Sequence, residues 1–247
     1  MDPMAEKFCF LTSYNYCTGN PLLFIDLFGA IIKDNSGLLS DYINDIKNFI
    51  TLLRKSDNKE KYKPLIAYFD NILTEISILE NSKQIYEINR TADEQGPGTF
   101  YNYSNDNVVL EVSGKSNLSH ELKHAFQYEI GNISFNPDKE YGTLYDITDE
   151  CEAFERQFLF DNRYSLLPNP EILNKNDFNG SNSKNNVIKK GLENGISYYE
   201  RLPNGPININ SPQGLRMRAK TIINGKKKVI KSNTDRYSGW RIYYENN

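Results

Sequence analysis

The segment 118–130 has the sequence LSHELKHAFQYEI, in which apolar side chains recur at the three- and four-residue spacing of an amphipathic helix. His120 and His124 are four residues apart, so both imidazoles project from one side of that helix. The opposite side carries the residues expected to pack inward, which are Leu118, Leu122, Ala125 and Phe126. The stretch therefore predicts a partly buried helix that presents a pair of histidines.

This pair has the spacing of a zinc site. Neutral imidazole is a good zinc ligand, and Glu121, which follows the first histidine, is placed to activate a water molecule beside the metal. The chain has only two histidines, and both fall in this pattern. A chance arrangement of this kind is expected in roughly one chain in two thousand of this composition. The alternative is a pair of surface histidines without a metal.

A third ligand must be a carboxylate, because no histidine remains. A second helix is predicted over residues 148–160, and on it Glu150 shares the inward face with Ala153 and Phe154. Glu152 lies on a more solvated face and is the second choice. Acids at a helix N-terminus also interact favourably with the helix dipole, and Asp149 is suited to that role.

A histidine pair with an adjacent glutamate at this spacing is typical of metallopeptidases. Peptide hydrolysis by such a site also needs a hydrogen-bond donor for the oxyanion of the tetrahedral intermediate. Tyrosines and arginines near the predicted site could serve, and the sequence does not choose among them: Tyr141, Tyr145, Arg156, Arg163 and Tyr164. The strand predicted at 108–113 precedes the histidine helix, and we expect an extended substrate to pair along it.

The remaining pattern predicts an α+β fold. Apolar periodicity indicates two N-terminal helices, at 40–55 with Ser40 as N-cap and at 64–79 with Pro64 in the first turn. Strands are predicted at 84–89, 99–104 and 108–113, and in a hairpin around Asn224-Gly225 formed by 216–223 and 226–231, with a further strand at 241–244. The expected architecture is a small mixed or antiparallel sheet with the histidine helix, followed by a β-rich C-terminal extension.

Charge is distributed unevenly along the chain. The net charge of the 247 residues is −3, yet residues 184–247 contain 13 basic and 4 acidic side chains. Such a basic region can bind nucleic acid or an acidic protein, although a solvated surface is the simpler explanation. Three cysteines are too few for a disulfide framework. No signal peptide and no apolar run of about 20 residues is evident, so a secreted protein would need a non-classical route.

The histidine pair followed by Glu150-Cys151-Glu152-Ala153 resembles the zincin metallopeptidases of the glutamate-ligand type, over roughly residues 84–164. The resemblance implies a zincin-like fold and a Zn²⁺ ion held by His120, His124 and Glu150, with Glu121 as general base. Many members carry an aspartate four residues after the ligand glutamate, where this chain has Phe154. Phe154 cannot accept the hydrogen bond that such an aspartate accepts from a ligand histidine.

A second resemblance covers the first 29 residues. DPMAEK at 2–7 and SYNYCTGNPLLFIDLFG at 13–29 are similar to the end of the RHS repeat-associated core domain, with a departure at Leu27-Phe28. It implies a polymorphic toxin or effector that is delivered into target cells and has a cognate immunity protein. The predicted organisation is a remnant of the RHS core at 1–29, a zincin-like metallopeptidase domain at 30–183 and a basic, β-rich extension at 184–247.

Three hypotheses follow from these patterns. The first is a zinc endopeptidase acting as a delivered toxin on a protein or peptide substrate. The second is a binding module with a structural zinc ion, whose basic C-terminal region engages nucleic acid or an acidic partner. The third is a hydrolase that uses the same zinc chemistry on a non-peptide amide.

Overall fold

The computed structural model describes residues 32–82, 84–91, 96–102, 104–105, 107–133, 144–165, 167, 184–193, 196–205, 207, 227–231 and 240–244. In chain order the elements are β1 (Ile32–Asp34), α1 (Leu39–Lys55), α2 (Lys63–Glu80), β2 (Tyr86–Arg90), β3 (Gly98–Asn102), β4 (Asn107–Val112), α3 (Lys115–Glu129), α4 (Ile147–Asn162), α5 (Lys184–Glu193), a 3₁₀ turn (Ser197–Arg201), β5 (Lys227–Lys231) and β6 (Trp240–Tyr244). This confirms the α+β class and the small mixed sheet.

The main sheet has four strands in the order β1-β2-β4-β3. β1, β2 and β4 run parallel, whereas β3 is antiparallel to β4 and pairs Phe100 with Val109. The hairpin predicted between residues 99–104 and 108–113 is therefore confirmed. The expectation that the strand at 108–113 lies at the sheet edge and pairs with an extended substrate is wrong, because this strand, β4, is paired on both sides. The edge next to it is β3, since β2 takes the other side of β4 through a parallel pairing that the hairpin sequence does not reveal.

The core lies between this sheet and the helices. The apolar stripes predicted for the first two helices are confirmed as core, since α1 buries Tyr42, Ile46 and Phe49 and α2 buries Leu65, Phe69 and Ile72. Alternate residues of β2 and β4 meet them from the sheet, and α3 packs against α4, β4 and β3. Each fully buried large apolar side chain contributes about 1.5–3 kcal/mol to the free energy of folding, relative to the same side chain exposed to water. α3 is thus held from several directions, and its polar site residues are fixed by this packing.

The first helix begins one residue earlier than predicted. Ser40 is inside α1 and exposed, so it is not the N-cap. Asp34, at the end of β1, accepts hydrogen bonds from the backbone N–H of Leu39 at 2.9 Å and of Gly37 at 3.0 Å. Gly37 has φ 69°, which lets the chain turn back toward Asp34. The Asp34 carboxylate, five residues before Leu39, therefore takes the capping role that the sequence assigned to Ser40.

The C-terminal region begins with helical structure. Val187 of α5 and Tyr199 and Leu202 near the 3₁₀ turn belong to the same buried cluster as the sheet and the first helices. Among the described residues, the predicted β-rich character of 184–247 applies only to β5 and β6, which pair antiparallel. The strand predicted at 216–223 lies outside the described residues, as does the 1–29 segment. Among the described helices, none has the length and apolar character needed to cross a bilayer.

Candidate metal centre

The two histidines and Glu150 meet at one buried point. One ligand atom from each of these three side chains lies within 4.8 Å of the others, and the residues are only 7%, 6% and 2% exposed for His120, His124 and Glu150 respectively. His120 and His124 come from the middle of α3, while Glu150 comes from the first turn of α4. The packing of α3 against α4 is what joins them.

The spacing of these atoms fits a small metal ion. The two Nε2 atoms are 3.1 Å apart. Glu150 Oε2 lies 3.4 Å from His120 Nε2, and Glu150 Oε1 lies 3.6 Å from His124 Nε2. In a tetrahedral zinc site with bonds of about 2.0–2.1 Å, ligand atoms are separated by about 3.3–3.4 Å. Two imidazole nitrogens and one carboxylate oxygen are also a donor set that catalytic zinc sites use. The residues present therefore fit the predicted ion.

The structure distinguishes the two glutamates considered as third ligand. Glu152 lies one turn away from the histidines, has a half-exposed side chain, and binds Lys123 at 3.2 Å and Gln127 at 3.1 Å. Glu150 instead faces both histidines. Among the described residues, its Oε2 atom has no hydrogen-bond partner although it is buried. A buried carboxylate oxygen without a partner is costly, and a metal ion would satisfy it.

The other oxygen of Glu150 is anchored by a tyrosine. Tyr145 Oη donates a hydrogen bond to Glu150 Oε1, which leaves Oε2, the oxygen 3.4 Å from His120 Nε2, without a hydrogen-bond partner among the described residues. Burial by itself raises the pKa of Glu150, but the adjacent His124 and His120 outweigh it and lower the pKa below the usual range. Glu150 is therefore a carboxylate at neutral pH, as a metal ligand must be.

The first turn of α4 is itself firmly placed. Asp146 is its N-cap, accepting from the backbone N–H of Thr148 at 2.8 Å, and Asp149 accepts in return from the backbone N–H of Asp146 at 2.9 Å. This reciprocal capping box fixes the start of the helix and with it the direction of Glu150. Asp149 thus serves the helix terminus, as the sequence predicts.

Glu121 lies beside the ligands at the edge of the sheet. Thr99 of β3 donates a hydrogen bond from Oγ1 to Glu121 Oε2 at 2.8 Å, and the residue Glu121 is 5% exposed. The carboxylate is therefore held in one orientation by the edge strand. The charge of Glu121 also reaches His124, because burial alone lowers the pKa of His124 whereas Glu150, Glu121 and Gln127 together raise it to about 9.

A segment that the sequence assigned to the C-terminal extension adds a second tyrosine. Tyr199, in the 3₁₀ turn, is 5% exposed, and its pKa is raised first by burial and then by the charge of Glu150, with Glu121 also contributing. The charges of Glu150 and Glu121 therefore both act on its phenol.

The position of this segment is fixed by backbone contacts with the start of α4. The backbone N–H of Ile147 donates to Pro203 O at 3.1 Å, and the backbone N–H of Ile207 donates to Asp146 Oδ2 at 2.7 Å. Gly205 permits this approach, because a Cβ atom there would lie 1.9 Å from Asp146 Oδ1. The start of α4 thus organises both Glu150 and the segment that carries Tyr199.

The structure separates the five oxyanion donors proposed from sequence. Tyr145 is at the site, with its ring centroid 5.7 Å from that of His124. Arg156 is buried against Glu75, Arg163 binds Asp45 at 3.2 Å, and the exposed Tyr164 packs on Phe49. Tyr141 lies outside the described residues. Sequence reasoning missed Thr99, Gln127 and Tyr199.

Comparisons of the chain with protein-family models, with curated proteins and with solved structures find no significant match. Neither the zincin nor the RHS resemblance gains support from them. The functional assignment therefore rests on the geometry of the residues described above.

Proposed function

We propose that this protein is a zinc-dependent peptidase with His120, His124 and Glu150 as metal ligands and Glu121 as general base. The observation that carries the proposal is the convergence of three buried side chains whose ligand atoms lie within 4.8 Å of one another, with an ordered carboxylate, Glu121, on the residue after His120. Three protein ligands leave a fourth position for water or substrate, which is typical of catalytic rather than structural zinc sites.

When bound, zinc would supply Lewis acidity and lower the pKa of a coordinated water molecule. Glu121 accepts the proton of the attacking water on its carboxylate and later donates it to the leaving amine. Thr99 keeps that carboxylate oriented while the proton is held. Tyr145 keeps Glu150 in its ligand orientation, as its hydrogen bond to Oε1 indicates.

Tyr199 is our candidate for the oxyanion donor. Burial and the nearby Glu150 raise its pKa, so the phenol stays protonated at neutral pH and can donate a hydrogen bond. Tyr145, which donates to Glu150 Oε1, is the second candidate, and Tyr199 also interacts with the Glu150 carboxylate. A preorganised donor in a buried site stabilises charge that develops in the transition state.

The edge strand favours an extended peptide as substrate. β3 has β4 on one side only within the described sheet, and its Thr99 contacts the general base. A peptide that pairs along β3 would bring its backbone past Glu121. This supports a peptidase over a hydrolase for compact, non-peptide amides. Delivery as a toxin with a cognate immunity protein is a proposal that depends on the RHS resemblance of residues 1–29.

The direct test is zinc dependence of peptide hydrolysis. Protein stripped with a chelator should be inactive toward a mixture of unstructured peptides, and one equivalent of zinc should restore cleavage, with new termini identified by mass spectrometry. Cleavage that persists after chelation, or hydrolysis confined to non-peptide amides, would contradict the proposal.

Tyr199→Phe should lower kcat by about 10²–10³-fold, which is the usual cost of losing one oxyanion donor. KM and zinc affinity should stay within about threefold of the wild type, since the ring and the ligands remain. Tyr164→Phe is the matched control, because Tyr164 is 53% exposed and remote from the site. Steady-state kinetics of both variants measure the effect, and an unchanged kcat in Tyr199→Phe would remove Tyr199 from the mechanism.

A further inference from the structure

Gln127 is the hydrogen-bond partner of the ligand histidine His124. Its Oε1 atom lies 2.8 Å from His124 Nδ1, and the residue is fully buried one turn further along α3. Phe154, which stands where the resembling family carries an aspartate, instead packs its ring edge-on to His120, with 4.6 Å between centroids. Among the described residues, His120 Nδ1 has no hydrogen-bond partner.

The contacts of Gln127 determine which end of its amide faces the histidine. Gln127 Nε2 lies 3.1 Å from the backbone oxygen of Asp149 and 3.1 Å from Glu152 Oε2. Both are pure acceptors, so the NH₂ group must point to them and the amide oxygen must point to His124. The amide oxygen can only accept, which requires His124 to carry its proton on Nδ1. In the neutral imidazole that a metal requires, the lone pair of His124 Nε2 is then directed toward Glu150 and His120.

A network of charges holds Gln127 in this orientation. Glu152, its partner on α4, binds Lys123 of α3 at 3.2 Å, and Lys123 lies 3.7 Å from Glu75 of α2. Glu75 in turn forms a buried ion pair with Arg156 of α4. Three helices are therefore tied together around the amide. Reorienting Gln127 would leave buried polar atoms without partners, which costs about 1–3 kcal/mol per group.

We propose that Gln127 is the positioning residue of the metal centre: it selects the Nδ1–H tautomer of His124 and aims Nε2 at the ion. This role rests on the proposed zinc site. The partner of a ligand imidazole typically affects metal affinity 10- to 100-fold by fixing its tautomer and orientation. Gln127 fixes the tautomer and orientation of His124 from the same helix, α3, three residues after the ligand. The other helix, α4, contributes Glu152 and the Asp149 carbonyl, which orient the Gln127 amide.

Gln127→Met removes the acceptor while keeping the length and flexibility of the side chain. We expect zinc affinity, measured by competition with a chromophoric chelator, to fall 10- to 100-fold. The absorption bands of bound Co²⁺ should also shift, which reports ligand geometry independently of activity. Gln157→Met is the matched control, because Gln157 donates to Ser116 and not to a histidine. Its affinity and spectrum should equal those of the wild type.

A double variant distinguishes positioning from general damage to the fold. Gln127→Glu combined with Glu152→Gln keeps an acceptor for His124 and a donor between the two side chains, and loses only the hydrogen bond to the Asp149 carbonyl, so its zinc affinity should exceed that of Gln127→Met. If Gln127→Met does not fold, the double variant is compared with Gln127→Glu alone, in which two carboxylates face each other. The added Glu152→Gln substitution should then raise the zinc affinity, and a failure to do so would overturn the proposal. Wild-type affinity in folded Gln127→Met would also overturn it, leaving the zinc site intact. Absence of zinc binding by the wild type would overturn both.

Discussion

Glu121→Gln is expected to lower kcat/KM for peptide hydrolysis by about 10²–10⁴-fold, the range that a general base contributes. Glutamine has the shape of glutamate, but its amide cannot accept a proton from water. Thr99 can still donate to the amide oxygen, so the local structure at β3 is preserved. Because Glu121 is not a ligand in this account, zinc content and the thermal unfolding temperature should not change.

The control for this variant is Glu200→Gln. Glu200 is an exposed glutamate next to Tyr199 in the 3₁₀ turn, so the substitution makes the same chemical change close to the site but outside it. Its activity should equal that of the wild type. If Glu121→Gln keeps wild-type activity with zinc bound, Glu121 is not the base.

Glu150→Gln should weaken zinc binding by more than about 100-fold, which exceeds the usual loss from a residue that only supports a ligand. The amide is a neutral and poorer zinc donor, and its NH₂ group can occupy the position toward the histidines. Glu152→Gln is the comparison, because it makes the same change two residues away. There Gln127 keeps its contact with the Asp149 carbonyl, so affinity should fall less than about tenfold.

Chelator competition on the two proteins measures this difference. It decides between the two glutamates that the sequence offered as third ligand. A larger loss in Glu152→Gln than in Glu150→Gln would contradict the arrangement seen here, in which Glu150 faces both histidines at 3.4 and 3.6 Å.

The part of the site that follows helical periodicity could be predicted from the sequence. The four-residue spacing of His120 and His124 fixes their common face in any helix, and the choice of Glu150 over Glu152 needed only the inward face of a second helix. The structure brings together these three residues as predicted. Whether an ion binds there stays a prediction.

The supporting residues could not be predicted in the same way. Tyr199 is one of 17 tyrosines, and nothing local marks it. Its place depends on contacts such as the hydrogen bond between Asp146 and Ile207, which are 61 residues apart in the chain. Gln127 is a neutral residue on a packed helix, and its role depends on contacts with α4. Its position three residues after His124 was a visible signal.

The sheet edge was also beyond local pattern. Hairpin formation by β3 and β4 follows from the turn between them, but the order of strands depends on β2 pairing in parallel with β4, with β3 between the two in the chain. A non-local parallel pairing leaves no mark in the sequence of either strand. The sequence therefore predicted β4 as the edge strand, whereas β3 lies at the edge beside Glu121.

The most direct test of the zinc site is the X-ray absorption spectrum at the zinc K-edge of the wild-type protein with one equivalent of zinc. We expect a four-coordinate ion with two imidazole nitrogens and otherwise only oxygen ligands, at about 2.0–2.1 Å. A sulfur ligand at about 2.3 Å, which Cys151 beside Glu150 could supply, or failure to bind zinc at all, would contradict it.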